Sequence, residues 1–249
     1  MEHWEIFIFF FIIALIYASV GFGGGSSYIA ILATYAMPFK EMRLVALICN
    51  IIVVSGGTFI FIKHKQVNWK KILPIALVSV PLAFVGGRLK LNQDTFFIIL
   101  GCSLILAAVM LWIKIERDKV STTPTNKANY VKHGLLGGII GFLSGMVGIG
   151  GGIFLSPVLN LTAWDTPKKI AATASIFILF NSVAGIAGQL TVMPSGLNYV
   201  RMVLLCVAVF LGGQAGSRLG AIKFDPIIIR RLTALLVFFA GGEVLIRHL

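Results

Sequence analysis

The sequence predicts an all-α polytopic membrane protein: two inverted repeats of about four to five helical segments each, with a glycine-broken first helix in each repeat. Three observations carry this reading. They are long uncharged apolar runs, a glycine cluster that recurs with a displaced copy of the half-chain around it, and an uneven distribution of Lys and Arg among the loops. The 249 residues are 58% hydrophobic and 12% charged, too little polar surface to cover a water-soluble globule of that size. Residues 6–39, 44–62, 95–113, 134–164 and 170–200 carry no charged side chain. Each run reaches or exceeds the roughly 18 to 20 residues that a helix needs to cross about 30 Å of hydrocarbon.

The repeat is legible without any alignment to other proteins. Val20-Gly21-Phe22-Gly23-Gly24-Gly25 returns as Val147-Gly148-Ile149-Gly150-Gly151-Gly152, displaced by 127 positions. Asn68, Gly86, Arg88 and Leu89 return at 130 as Asn198, Gly216, Arg218 and Leu219, and Asn50, Gly57 and Asp94 return at 131 as Asn181, Gly188 and Asp225. A register that drifts slowly over a half-chain indicates duplication. The predicted organisation is a first membrane repeat over 1–113, a polar cytoplasmic linker over 114–133 and a second repeat over 134–249.

Taken in chain order, the first segment is the unusual one. As a single helix, 6–39 would be about 50 Å long, too long for one crossing without extreme tilt. The glycines divide it into two pieces of about 22 Å, which suits a helix that enters, unwinds in mid-membrane and turns back or continues as a short partner. Three simpler spans follow, over 43–62, 72–89 and 95–113. The stretch from Lys114 to His133, with Pro, Thr, Asn and mixed charge, reads as a loop. A second glycine-broken segment then precedes spans over 170–190, 201–219 and 227–246. The start MEHWEIF is acidic rather than basic and its apolar stretch is long, so no cleavable leader is expected.

Charge sets the relative orientation of the copies. If each broken segment returns to its own side, the copies are inverted, and 15 of the 21 Lys and Arg fall inside. If it crosses once, the copies are parallel, and the division is 11 against 10. The excess of cytoplasmic Lys and Arg found in membrane proteins favours inversion. In this count Lys40, Arg43, Arg88 and Lys90 are external loop or span-end charges. The net charge of +12 resides in these clusters and not along one face, so no nucleic-acid partner is expected.

Inverted repeats with broken helices at matching positions point to a transporter whose site lies near the midplane, where the breaks meet. An unwound glycine stretch leaves backbone N–H groups without helical acceptors, and the half-helix after it adds more donors and the positive end of its dipole. Such a place attracts an anion. The candidate binding residues are therefore Gly21, Phe22, Gly23, Gly24, Gly25 and Ser26 in the first copy, and Gly148, Ile149, Gly150, Gly151 and Gly152 in the second. Asn50, Asn181 and Gln189 join them, because polar side chains deep in spans are costly. For the two asparagines, hydrogen bonding between helices is an equal alternative. Ser27, Ser144 and Ser156 near the breaks, and Thr58 aligned with Gln189, are further neutral donors. Arg88 and Arg218 lie at span ends, where arginine reaches back to the interface.

The segment GIGGGIFLSP, from Gly148 to Pro157, resembles the G-x-G-G-G-x-x-x-x-P motif of the TauE/SafE sulfite-exporter-like family, also called the toluene sulfonate uptake permease family. The likeness extends over nearly the whole chain, through its length, its duplicated halves, its central linker, and the ends GGRL (86–89) and GSRL (216–219). The first copy, GFGGGSSYIA, has Ala30 in place of the proline, so its second half-helix lacks the start that Pro157 would give the other. The resemblance implies a permease of the cell inner membrane for sulfite, thiosulfate, sulfoacetate, a sulfonate or a related small anion.

Other classes find less support. An embedded enzyme needs clustered carboxylates, a His/Cys metal set or a nucleophile beside a base, and none of the nine acids forms such a group. No metal or other cofactor is expected. Glu243 is the one acid well inside an apolar stretch, and an interfacial position is its expected place. Cys49, Cys102 and Cys206 read as small core residues. An anion channel and an accessory subunit without transport activity stay open as alternatives. So does a homo-oligomer, because lipid-facing and partner-facing apolar surfaces read alike.

Overall fold

The computed structural model describes residues 4–19, 21–35, 37–117, 130–162, 164–191 and 198–220, with 231, 234–235, 237–239, 241–242 and 244–246. Among these, helix and short turns account for the chain, without a strand. The helices are α1 (Glu5–Ala18), α2 (Gly25–Thr34), α3 (Phe39–Lys63), α4 (Trp69–Arg88), α5 (Gln93–Arg117), α6 (Tyr130–Val147), α7 (Gly152–Leu161), α8 (Pro167–Leu190) and α9 (Tyr199–Gly220). Five of them, α3, α4, α5, α8 and α9, are long and apolar enough to cross a membrane. Linker residues 118–129 and Glu243 lie outside the described residues.

The helices begin earlier than the uncharged runs suggest, because prolines and asparagines set their starts. Pro38 precedes α3, and Pro167 occupies its favoured first-turn position in α8. Asn198 Oδ1 accepts from the Arg201 N–H at 3.0 Å at the head of α9. These early starts draw Arg43 and Lys169, which lie just outside the uncharged runs, into helices.

Both glycine clusters interrupt a helix. With 14 and 10 residues, α1 and α2 are about 21 and 15 Å long, each too short to cross alone. They fold back on each other. The Tyr17 hydroxyl lies 2.7 Å from Ser27 Oγ, the Phe10 and Tyr28 rings stack at 4.5 Å, and the Tyr35 hydroxyl donates to Glu5 Oε1 at 3.4 Å. The end of α2 therefore lies beside the start of α1. In the second pair, His133 near the start of α6 meets Trp164 just beyond α7, with ring centroids 6.1 Å apart. Phe39 at the head of α3 lies 5.5 Å from Phe96 at the head of α5, so α3, α4 and α5 traverse the bundle in alternation.

The halves are interleaved. Helix α1 packs on α9, α6 packs on α4, and α3 and α8 lie together between them. Close approach explains the glycines of α6. A side chain on Gly141 would meet the Ser79 carbonyl oxygen at 2.5 Å, and one on Gly137 the Ile75 carbonyl at 2.9 Å. Gly212 and Gly216 of α9 press in the same way on the carbonyls of Phe11 and Leu15.

The outer faces are apolar. On α9, Val200, Val203, Val207, Phe210 and Leu211 are each at least half exposed, a helical stripe suited to hydrocarbon. Polar side chains are turned inward: Asn50, Asn181, Ser144, Ser175 and Ser182 are fully buried. Cys102 is a correction to the sequence reading, since it lies on the exposed face of α5, whereas Cys49 is buried and Cys206 half-buried.

Candidate functional site

The two breaks meet on one side chain. Asn50, fully buried in α3, accepts a hydrogen bond from the Gly25 N–H at 2.9 Å, and its Nδ2 donates to the Ile149 carbonyl at 2.9 Å. Only one orientation of the amide satisfies both, so its oxygen faces the first break and its nitrogen the second. The glycines make the space for it. A Cβ on Gly23 would overlap Asn50 Oδ1, and a Cβ on Gly25 or Gly150 would lie 2.5 or 2.8 Å from Nδ2.

Backbone conformation requires glycine at the turns themselves. Gly24 and Gly151, which cap α2 and α7, have φ of 87° and 78°, in the left-handed region closed to most side chains. Gly21 and Gly148 match them at the entry to each break, with φ of 81° and 86°. Both second half-helices start at the same register and run for 10 residues. Pro157 is the sixth residue of α7 and sets no start, so the Ala30 substitution leaves the two half-helices alike.

Donors accumulate at this junction. The N–H groups of Ser26, Gly152 and Ile153 open their helices and have no acceptor within them. Around them lie buried polar atoms with no hydrogen-bond partner: the Tyr28 hydroxyl beside Gly24, Ser144 Oγ near Gly151 and Ser182 Oγ near Gly150. All residues of 21–25 and 148–152 are buried. Positive half-helix ends and neutral donors, with no carboxylate among these residues, suit an anion.

The other residues singled out in the sequence divide. Phe22 and Ile149 are buried within the breaks, and Ser26 is 2% exposed at the head of α2. Asn181 does not repeat the bridging of Asn50: its Nδ2 donates to Ser79 Oγ at 3.2 Å and to the Phe177 carbonyl at 2.8 Å, and its Oδ1 has no partner. Gln189 is not at the breaks at all but lines a cavity where α3 begins. Thr58 pairs with Ser175 Oγ at 3.0 Å across α3 and α8. Arg88 and Arg218 are exposed in the last turns of their helices. Among the described residues, no group of three or more His, Cys, Asp or Glu is placed to hold a metal ion.

Sequence reasoning passed over Tyr28, Ser182 and Arg43. The first two carried a signal, since each lies within three residues of a residue already singled out. Arg43 carried one in Pro38, a helix-start mark five residues upstream.

An ion pair lies at each end of the bundle. Lys71 Nζ lies 2.9 Å from Asp165 Oδ2, donates to the Trp164 carbonyl at 3.0 Å and sits 4.9 Å from the centre of that indole ring. Lys169 is 3.6 Å from the same carboxylate. Burial alone would raise the Asp165 pKa. The Lys71 hydrogen bond, the Thr166 N–H and the charges of Lys71 and Lys169 outweigh that and hold it below the usual carboxylate range. At the other end, Arg201 lies 3.5 Å from Glu41 in the first turn of α3.

A bundle of membrane-length helices with two glycine-broken half-helix pairs converging on a buried polar junction defines a polytopic membrane protein of transporter architecture. The chain belongs to the sulfite exporter TauE/SafE family, whose family model matches residues 6–244. It is 32% identical over 239 residues to "Probable membrane transporter protein y4hK" of Sinorhizobium fredii, covering 96% of each chain. It is 27% identical to "Probable membrane transporter protein MJ0441" of Methanocaldococcus jannaschii, over 76% of this chain and 73% of that one. With "Probable membrane transporter protein YunE" of Bacillus subtilis the identity is 26%, over 80% and 81%. No solved structure gives a significant match.

Proposed function

We propose that this membrane transporter is a secondary permease of the cell inner membrane that moves a small sulfur-containing or organic anion, such as sulfite, thiosulfate, sulfoacetate or a sulfonate, by alternating access. The observation that carries the reading is the meeting of both glycine-broken helices at Asn50, which accepts from the Gly25 N–H at the head of α2 and donates to the Ile149 carbonyl just before α7. The anion is held there by backbone donors, with the Tyr28, Ser144 and Ser182 hydroxyls as neutral supplements. The half-helix dipoles favour negative charge without a fixed cation, so binding stays weak enough for release.

The halves 1–113 and 134–249, joined by the linker over 114–133, act as two inverted repeats that part and rejoin around the junction. Two features support this. The contact between Glu5 and Tyr35 fits a first segment that returns to its own side, and the distribution of Lys and Arg favours inversion. The ion pairs fit the same scheme. Lys71 and Arg201 are separated by 130 positions, the displacement of the repeat, and each binds an acid belonging to the other half. Glu41 lies in the first turn of α3 and Lys71 beyond its last, and the 25 residues of α3 extend about 37 Å, so the pairs are closures at opposite ends.

The reading is tested in proteoliposomes containing the purified chain. Saturable uptake of labelled thiosulfate or sulfite, accelerated by unlabelled anion on the far side, is the expected result. Conductance that does not saturate would indicate a channel, and no flux of any small anion would leave the accessory role.

The closures give two further expectations. Asp165→Asn is expected to expose cysteines introduced beside Lys71 to a membrane-impermeant thiol reagent, and Glu41→Gln to expose those beside Arg201, each without the other. The Asp165 pKa is lowered in the folded protein, so its contribution is full above the unfolded value, near about 4, and is lost as pH falls through the lower folded value. Labelling beside Lys71 is therefore expected to rise only under acid conditions, below about pH 4.

A further inference from the structure

Where the first turns of α3 meet the end of α4, a cavity of about 20 Å³ opens between Phe39, Lys40, Arg43, Gly87, Lys90 and Gln189. It has room for one water-sized group, such as an oxygen of an oxyanion. Two of the side chains that line it are almost wholly buried and carry N–H groups with no partner. Arg43 is 3% exposed with its Nε unpaired, and Gln189 is 7% exposed with its Nε2 unpaired. They come from different helices, α3 and α8, so the shared want of an acceptor is no accident of one backbone.

The charge around them is of one sign. Arg43 spends its NH2 group on the Gly87 carbonyl at 3.3 Å and the Gly145 carbonyl at 3.0 Å, which are neutral partners. No acid lines the cavity, whereas the exposed Lys40 and Lys90 do. The nearest acid in sequence, Glu41, is committed to Arg201. A buried guanidinium normally has a carboxylate or a phosphate beside it, because desolvated charge is costly unless compensated. The position also leads somewhere: a side chain on Gly148 would meet the Arg43 Cα and Cβ at 3.1 Å, so the backbone of Arg43 rests against the second glycine break.

We propose that this cavity is a second anion site, in which the Arg43 guanidinium and the Gln189 amide donate to a small oxyanion that Lys40 and Lys90 attract. Its role as the entry station to the glycine junction rests on the reading of the protein as an anion transporter; its capacity to bind an oxyanion does not. A planar guanidinium with free donors and a nearby amide suits the oxygens of sulfite or thiosulfate better than a spherical halide.

The test is isothermal titration and thermal melting of the purified full-length chain with sodium thiosulfate, and with sodium chloride at equal ionic strength. Thiosulfate is expected to bind and to raise Tm, and chloride to do neither. Because Gln189 Nε2 has no protein partner, Gln189→Leu is expected to keep the melting temperature of the unliganded protein while weakening thiosulfate about tenfold. Gln189→Glu supplies the missing counter-charge to Arg43, and is expected to raise the unliganded Tm and to remove the thiosulfate binding of this cavity while leaving that of the glycine junction. A merely structural Gln189 would produce neither effect. Wild-type affinity in both variants would overturn the proposal, as would chloride matching thiosulfate. Thiosulfate uptake that persists with both variants binding normally would remove this site and leave the transport reading standing. Binding lost in the variants of a protein that moves no anion would do the reverse.

Discussion

Asn50→Leu is expected to lower the stability of the protein by about 2–6 kcal/mol and to abolish transport. Leucine fills a similar volume but offers neither acceptor nor donor. The Gly25 N–H and the Ile149 carbonyl, each now 2.9 Å from the amide, would be left buried without partners. An unsatisfied buried backbone group costs about 1–3 kcal/mol, and here two are lost together. The equivalent change at Asn181 removes a bond to Ser79 and one within its own helix and joins no break to another. It is expected to cost about 1–2 kcal/mol and to leave measurable uptake. Thermal melting in detergent with anion uptake in proteoliposomes checks both. Equal effects at the two positions would mean that the junction at Asn50 has no special part.

Gly25→Ala is expected to reduce uptake at least tenfold while the protein still inserts and melts cooperatively. The φ of Gly25 is not in the left-handed region, so alanine suits the backbone at the head of α2. The added methyl is the difficulty. It would lie 2.5 Å from Asn50 Nδ2 and 3.0 Å from the Ile149 carbonyl oxygen, so Asn50 must retreat from the junction. Crowding of this kind costs about 1–3 kcal/mol. Gly57→Ala is the matched control: its nearest neighbour would be Ser175 Oγ at 3.7 Å, an ordinary contact. In the interior of α3 that change is expected to add up to about 1 kcal/mol of stability and to leave uptake intact. If Gly25→Ala transports like Gly57→Ala, the two breaks need not close on Asn50 for the cycle to run.

The parts of the site that were legible in the sequence share a cause. Gly24 and Gly151 announce themselves because a left-handed φ excludes nearly every other residue, and because the glycine cluster occurs twice. Asn50 was legible as a polar residue in a span, but its task was not. Asn181, also a polar residue in an apolar span, bonds instead to Ser79. Arg43 was read as an external charge at a span end because the span was begun there, whereas α3 starts at Phe39 and carries the guanidinium inside. Gln189 was grouped with the breaks by its polarity, and the fold puts it at the far end of α8 beside Arg43.

By itself, the sequence determined the solvent, the helical class and the positions at which two helices unwind. These follow from hydrophobic run length and from the steric needs of single residues, which are local properties. Only the tertiary structure decided which groups meet, Asn50 with both breaks, Lys71 with Asp165 and Arg201 with Glu41, and that Arg43 and Gln189 line one cavity. Those pairings join residues up to about a hundred and sixty positions apart, and in hydrocarbon the apolar pattern that places helices in the bilayer carries no instruction about which helix faces which. That choice is made by close glycine contacts and by the few polar groups that must find partners away from water.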